Sequence, residues 1–319
     1  MRDILLVQKR ELEARLQEPY VERKVSRPPD LHDDLIKVIT GPRRSGKSFY
    51  AVHLLRQAGS FGYVNFDDER FATLGDYDRI VSAINGVYGN PRYLLLDEIQ
   101  NLPRWELFVN RLQRQGFRLL ITGSNANLLS SELATHLTGR HTVIVLFPFS
   151  FEEYLATSGV ELTEAETAAA LEMYAEQGGY PEPLLKKIDR RDYLHTLIQS
   201  ILYKDIVHRF KIRSVQGMDD LALYLMSNIA REYSFNTLSK VTRCSSVHTV
   251  EKYIRHLQEA FLFFPLKRFS YKVKTQASHN KKIYCTDNGL AVAEGFRFSA
   301  DRGALYENLV AVALRKREI

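Results

Sequence analysis

Val38-Ile39-Thr40-Gly41-Pro42-Arg43-Arg44-Ser45-Gly46-Lys47-Ser48-Phe49-Tyr50 decides how the rest of the chain is read. A short β-branched run from Leu35 to Ile39 ends in turn residues. From Phe49 to Leu55 apolar residues recur at helical spacing, and Gly59 stops them. The order is strand, glycine loop, helix, and the loop reads G-x-x-x-x-G-K-S from Gly41 to Ser48. Gly41 and Gly46 permit backbone turns that a Cβ forbids. The N–H groups of Pro42–Ser45 and their neighbours (Pro42 itself has none) can then face an anion, with the helix N-terminus behind them. Arg43 and Arg44 add charge. Lys47 suits the β- and γ-phosphates of ATP, and Ser48 offers a hydroxyl to Mg²⁺.

A second motif lies about fifty residues downstream. Arg92-Tyr93-Leu94-Leu95-Leu96-Asp97-Glu98 is an apolar strand ending in two carboxylates. An aspartate at such a strand end holds the Mg²⁺ shell in P-loop enzymes. An acid directly after it can take a proton from the attacking water. Asp97 is therefore assigned to metal and Glu98 to water activation. The pair of motifs predicts ATP binding and hydrolysis.

With 319 residues the chain is long enough for two to three domains, and 45% hydrophobic content is ample for their cores. The start, Met1-Arg2-Asp3-Ile4, soon turns charged and has no secretory pattern. No apolar run reaches bilayer length, so no membrane partner is expected. Cys244 and Cys285 form neither a metal spacing nor a disulfide framework, which suits the cytoplasm. His195 and His208 read as packing residues.

The predicted organisation has five parts. Residues 1–30 form a charged helical arm, closed by Pro28-Pro29. Residues 31–147 alternate strands (Leu35–Thr40, Phe61–Phe66, Tyr93–Asp97, Phe117–Thr122, Thr142–Phe147) with helices, which implies a parallel sheet covered on both faces. Ligands in such sheets sit at strand carboxyl ends, where the Gly41 loop, Asp97-Glu98 and Gly123-Ser124-Asn125 all fall. Residues 148–213 are helical; Ser150 caps one helix with Glu153 three residues on, and Gly178-Gly179 ends another, Glu164–Gln177. Residues 214–292 form a third unit. Residues 293–319 begin a further region whose helix, Gly303–Arg317, puts Leu305, Leu309, Val312 and Ala313 on one face in need of cover.

The third unit has the pattern of a winged helix. Leu221–Met226 begins a helix, Thr237–Thr242 is a short second one, and Arg243-Cys244-Ser245 is a tight turn. Val247, Val250, Ile254, Leu257 and Phe261 form the stripe of a third helix. Its polar face carries His248, Thr249, Lys252, Arg255 and His256, suited to a major groove. Strands Leu262–Tyr271 and Lys281–Cys285 follow, with Lys272 and Lys274 in the polar stretch between them. From Asn236 to Tyr284 ten Lys and Arg stand against two Glu, a local charge of about +8 in a chain of net charge +6. Such a confined basic patch is a nucleic-acid footprint; solvated lysines on a protein-contact module are the competing reading.

Further motifs carry a resemblance: Leu96-Asp97-Glu98-Ile99-Gln100, Trp105-Glu106, Ile121-Thr122-Gly123-Ser124, Leu137-Thr138-Gly139-Arg140, Pro148-Phe149-Ser150-Phe151-Glu152-Glu153, Gly178-Gly179-Tyr180-Pro181-Glu182, Tyr284-Cys285-Thr286-Asp287-Asn288-Gly289-Leu290 and Tyr306-Glu307-Asn308-Leu309-Val310. With the loop, they make the chain resemble, over nearly its whole length, bacterial and archaeal AAA+-type ATPases with a family-specific C-terminal region. The resemblance implies an α/β fold: a P-loop ASCE/AAA+ parallel-sheet core, a helical lid and then a winged helix. It implies that Ser124 is the sensor of the γ-phosphate and that Arg140 is an arginine finger completing a neighbour's site. That in turn implies a homo-oligomer, with a hexameric ring favoured. Pro181 resembles the lid proline that packs on adenine. No arginine stands at the sensor-2 position near Pro181–Lys187, where Lys186 and Lys187 are the nearest bases. The family commonly continues into a nuclease-like fold beyond Tyr306-Glu307-Asn308, and no nuclease activity is expected of these 319 residues. Two functions follow as expectations. One is an oligomeric DNA motor or switch driven by ATP; the other is a nucleotide-gated regulator acting through protein contacts.

Overall fold

Five short strands set the frame of the first half of the chain: β1 Ile36–Thr40, β2 Phe61–Asn65, β3 Tyr93–Asp97, β4 Arg118–Gly123 and β5 His141–Val145. In the computed structural model, which describes residues 1–72, 74–124, 137, 139–186, 188–244, 246–271, 280–295 and 301–318, all five pair in parallel in the order β2-β3-β4-β1-β5. Strands flanked on both faces are mostly apolar, and every residue of β1 is buried, Lys37 and Thr40 included. The register sets Thr40 opposite Gly123 and Val145, and Asn65 opposite Asp97. The carboxyl ends of β1, β3 and β4 thus lie along one edge.

Among the described residues, four helices accompany the sheet: α1 Arg2–Arg15, α2 Lys47–Ala58, α3 Asp78–Tyr88 and α4 Trp105–Arg114. The N-terminal helix is packed into this unit. Leu5 and Leu12 are buried in its cores. The Gln8 amide donates to the Asn65 carbonyl at 2.9 Å and accepts from the Asn65 N–H at 3.0 Å. Strand β2 is the sheet's edge, and this pairing satisfies backbone groups that an edge leaves open.

The chain divides into two compact units, residues 1–41 with 46–146 and residues 42–45 with 147–319. The second begins with four helices, α5 Phe151–Ala156, α6 Glu164–Gln177, α7 Pro181–Lys186 and α8 Arg190–Ser200. Ser150 and Glu153 form the reciprocal capping box that their spacing predicts, and Thr163 with Glu166 repeats it. A π-helix, Ile201–His208, follows. Next come α9 Val215–Ser227, β6 Glu232–Tyr233, α10 Phe235–Val241, α11 Val247–Glu259, β7 Phe263–Lys267 and β8 Lys281–Cys285. The three strands pair antiparallel in the order β6-β8-β7. Two helices close the unit, α12 Asn288–Glu294 and α13 Arg302–Glu318.

Two expectations are corrected here. The face of α13 thought to need a partner is covered within the unit, where α13 packs on β8, α6 and α12. Ala304, Leu305, Asn308, Ala311 and Val312 form the buried face, while Ala313 is exposed. Asn308 replaces lost water with strong pairings: it accepts from the Cys285 N–H at 2.8 Å and donates to the Cys285 carbonyl at 2.9 Å and to Asn288 Oδ1 at 2.7 Å. The second correction concerns His256, which is not on the polar face of α11. It is 6% exposed and stacks on Phe210 with ring centroids 3.7 Å apart. It lies two residues after Ile254 and one before Leu257, close enough to the apolar stripe for packing to take it.

Candidate nucleotide site and basic helix

The glycine loop joins β1 to α2 with the backbone its sequence requires. Gly41 (φ 144°) and Gly46 (φ 92°) both lie in the region that favours glycine. A Cβ on Gly41 would run into the Leu146 carbonyl, so no other residue fits there. Lys47 opens α2, is only 5% exposed, and its Nζ donates to the Gly41 carbonyl at 3.2 Å. Its ammonium is already out of water and held inside the loop.

At the end of β3, Asp97 is 2% exposed. Three hydroxyls donate to it: Ser48 at 2.8 Å, Tyr63 at 3.1 Å, and Thr122. Burial raises its pKa above the ordinary carboxylate range, and the neighbouring Glu98 raises it further; the three hydroxyls pull the other way. Tyr63 is pushed up as well, by burial and then by Asp97. Glu98 takes a left-handed conformation (φ 52°, ψ 44°), rare for a residue with a Cβ. Its N–H donates to Thr122 Oγ1 at 3.0 Å. Its Oε2 accepts from Gln100 at 2.5 Å and from Ser124 at 3.5 Å. The turn after β3 therefore separates the two acids: Asp97 goes inward to Ser48, and Glu98 goes to Gln100 and Ser124. Ser48, Asp97, Glu98 and Ser124, all singled out from the sequence, are brought together.

The loop arginines are held elsewhere. Arg43 makes a two-pronged pair with Asp205 of the π-helix, at 2.8 and 2.9 Å. Arg44, also left-handed at φ 64°, stands 3.6 Å from Glu182 of α7. Pro42 and Ser45 are buried, and Ser45 N–H closes a turn on the Pro42 carbonyl at 3.3 Å. Pro181 is the first residue of α7. Arg140 is exposed just before β5, and its carbonyl accepts from the Ile36 N–H. It thus stands at the amino ends of β1 and β5. The loop and Asp97 stand at the carboxyl ends, five residues or about 16 Å of strand away.

On α11, Val250, Tyr253, Ile254 and Leu257 are buried. His248, Lys252 and Arg255 are exposed and Thr249 is half-buried, so these four form the outward face. Lys267 and Arg268 are exposed after them, and Lys282 pairs with Glu307 at 2.7 Å. Lys272 and Lys274, assigned to the wing, lie outside the described residues, as do Asn125, Lys187 and Ser245.

Residues 33–155 match the AAA domain family, and residues 168–299 match a domain of unknown function, DUF8612. An uncharacterized protein of Methanocaldococcus jannaschii is 32% identical over 299 residues, covering 88% of this chain and 67% of that protein. An uncharacterized protein of Haemophilus influenzae is 33% identical over 306 residues, covering 89% and 75%. The chain belongs to the bacterial and archaeal AAA+-type ATPase family. Among solved structures, this AAA+ chain is similar to a Walker-type ATPase of Pyrococcus abyssi (15% identity, 89% of this chain and 93% of that one, TM-score 0.49). It is also similar to AMPPCP-bound DnaA from Aquifex aeolicus (13%, 79% and 87%, 0.30) and to Cdc6p from Pyrobaculum aerophilum (12%, 86% and 88%, 0.32).

Four residues that pair with the loop or with its two acids escaped the sequence reading of roles. Thr122, bonded to both acids, and Gln100, two residues past Glu98, both sit in quoted motifs, and their polar side chains beside a strand end were the available signal. Tyr63 carries no such mark, because an aromatic in a strand reads as packing. Nor does Asp205, which is 162 residues from Arg43.

Proposed function

We propose that this AAA+ protein binds ATP and hydrolyses it with Mg²⁺, works as a homo-oligomer with a hexameric ring favoured, and couples turnover to DNA held by α11. The observation that carries the reading is the 2.8 Å hydrogen bond from Ser48 to Asp97, made between two motifs 49 residues apart. The donor set fits the metal: a hydroxyl and a buried carboxylate are hard oxygen ligands of the kind Mg²⁺ takes, and Ser48 with Asp97 would hold it. The bound ion supplies charge neutralisation on the phosphate oxygens. Lys47 and the loop N–H groups bind and orient the phosphates. Glu98, turned away from Asp97 and steadied by Gln100, accepts the proton of the attacking water, and Ser124 sits where it responds to the γ-phosphate. Pro181 packs on the adenine.

Arg140 supports the oligomer. About 16 Å of strand separates it from its own loop, so its guanidinium serves a neighbouring subunit's phosphates. The element order α9, β6, α10, α11, β7, β8 is that of a winged helix, and the exposed His248, Lys252 and Arg255 with the half-buried Thr249 and a local charge of about +8 support DNA as its partner. No helix among the described residues is long and apolar enough to cross a membrane. Both cysteines are free and buried, which fits the cytoplasm.

A second reading, nucleotide-gated protein contact, draws support from Arg43. Its pairing with Asp205 ties the phosphate loop to the π-helix, so a triphosphate competing for that arginine would alter a helix of the second unit without any nucleic acid taking part. ATP turnover measured with and without Mg²⁺ and duplex DNA tests both. Mg²⁺-dependent turnover that rises with DNA is expected; turnover indifferent to DNA favours the second reading, and none at all overturns the enzyme.

A further inference from the structure

The stretch after β7 has no part in the reading so far. In Phe263-Phe264-Pro265-Leu266-Lys267-Arg268-Phe269-Ser270-Tyr271 the first two aromatics are buried in the unit's core, and the last two are not. Phe269 is 72% exposed and Tyr271 94%. Single apolar side chains at a surface are ordinary, but these two rings contact each other there. Their centroids are 5.1 Å apart and their planes meet at 78°, edge to face. Neither ring is among the residues that build or line the unit's core.

Their surroundings say what fits. Lys267 and Arg268 precede them directly and are both exposed. No acidic residue occurs between Glu259 and Asp287. Bare aromatic rings in a run of chain that holds cations and no acids match a polyanion that also carries flat apolar groups. Duplex DNA hides those groups in its stack; a single-stranded segment shows them. Bases stack on aromatic side chains whatever their sequence, because every base has a π-face.

We infer that Phe269 and Tyr271 form a stacking platform for unpaired bases, so that the preferred DNA carries a single-stranded segment beside the duplex. The inference rests on the DNA reading of α11 and adds a substrate class to it. Each stacked base strengthens binding by about five- to a hundredfold. Neutral rings release no counterions, so this gain has no salt dependence of its own.

Fluorescence anisotropy of the full chain tests it with three probes: a blunt duplex, the same duplex with a single-stranded tail, and that tail made abasic. The wild type is expected to prefer the normal tail and to lose the preference when the bases are removed. Phe269→Ala and Tyr271→Ala should each lose it too, with the log–log salt slope unchanged, while Tyr271→Trp keeps it. Both side chains are exposed, so melting temperatures should match the wild type. Equal affinity for normal and abasic tails overturns the platform, as does a preference that survives Phe269→Ala and Tyr271→Ala combined; base-indifferent rings would point to a protein partner. If the duplex binds with a salt slope but tails add nothing, the platform falls and the DNA reading stands. If no probe binds at low salt, both fall.

Discussion

Replacing Lys47 by alanine should separate nucleotide binding from everything else the fold does. The ammonium lies inside the loop, 3.2 Å from the Gly41 carbonyl and 5% exposed. A unit charge about 4 Å from a phosphate charge is worth about 4 kcal/mol at the effective dielectric of about 20 that suits such sites. Each 1.4 kcal/mol is about tenfold, so the loss amounts to about a thousandfold in Kd. Little of it is offset by desolvation, because the ammonium has already left water in the free protein. The loop N–H groups and the α2 N-terminus remain, so ADP, which lacks the γ-phosphate, should weaken less. Calorimetry with a non-hydrolysable ATP analogue and with ADP measures both. An analogue Kd within about threefold of wild type would refute the placement of Lys47 on the phosphates.

Glu98→Gln should leave that Kd unchanged and slow turnover by about 10²- to 10⁴-fold, the usual contribution of a general base; steady-state kinetics would show the split. Asp97→Asn should abolish Mg²⁺-dependent turnover yet raise the melting temperature of the nucleotide-free protein, because burial and Glu98 make its charge costly. A raised carboxylate pKa means the cost is present at neutral pH and vanishes as pH falls toward the unfolded value of about 4, so calorimetric scans should show the two melting curves converging in acid. Arg140→Ala should keep ATP bound and lower turnover about a thousandfold, and mixing it with a Lys47 variant should restore part of the activity; no recovery would argue against a shared site. DNA affinity should fall with salt at a log–log slope of about −4 to −5, and Lys252→Ala or Arg255→Ala should each reduce that slope by about 0.9.

Much of this was legible in the sequence because the signals are local. Five strands, the α11 stripe and the Ser150 capping box each depend on residues within one or two turns of one another. Glycine at 41 and 46 follows from backbone sterics alone. The misreadings came where two faces compete. His256 sits at the border of a polar and an apolar stripe, and only the presence of Phe210 makes it a buried residue. The same holds for α13, whose covering surface comes from β8, α6 and α12 and has no mark in its own sequence.

The sequence by itself determined the phosphate loop, the acidic strand end and the basic helix, since each is a short run whose chemistry is fixed by residue type and spacing. Only the tertiary structure decided that Ser48 meets Asp97, that Thr122 bridges Asp97 and Glu98, that Arg43 is held by Asp205, and that Arg140 stands at the far end of its sheet. Those pairings follow from the strand order β2-β3-β4-β1-β5 and from helix packing. Both are set by burial of apolar faces between segments dozens of residues apart, which no local pattern encodes.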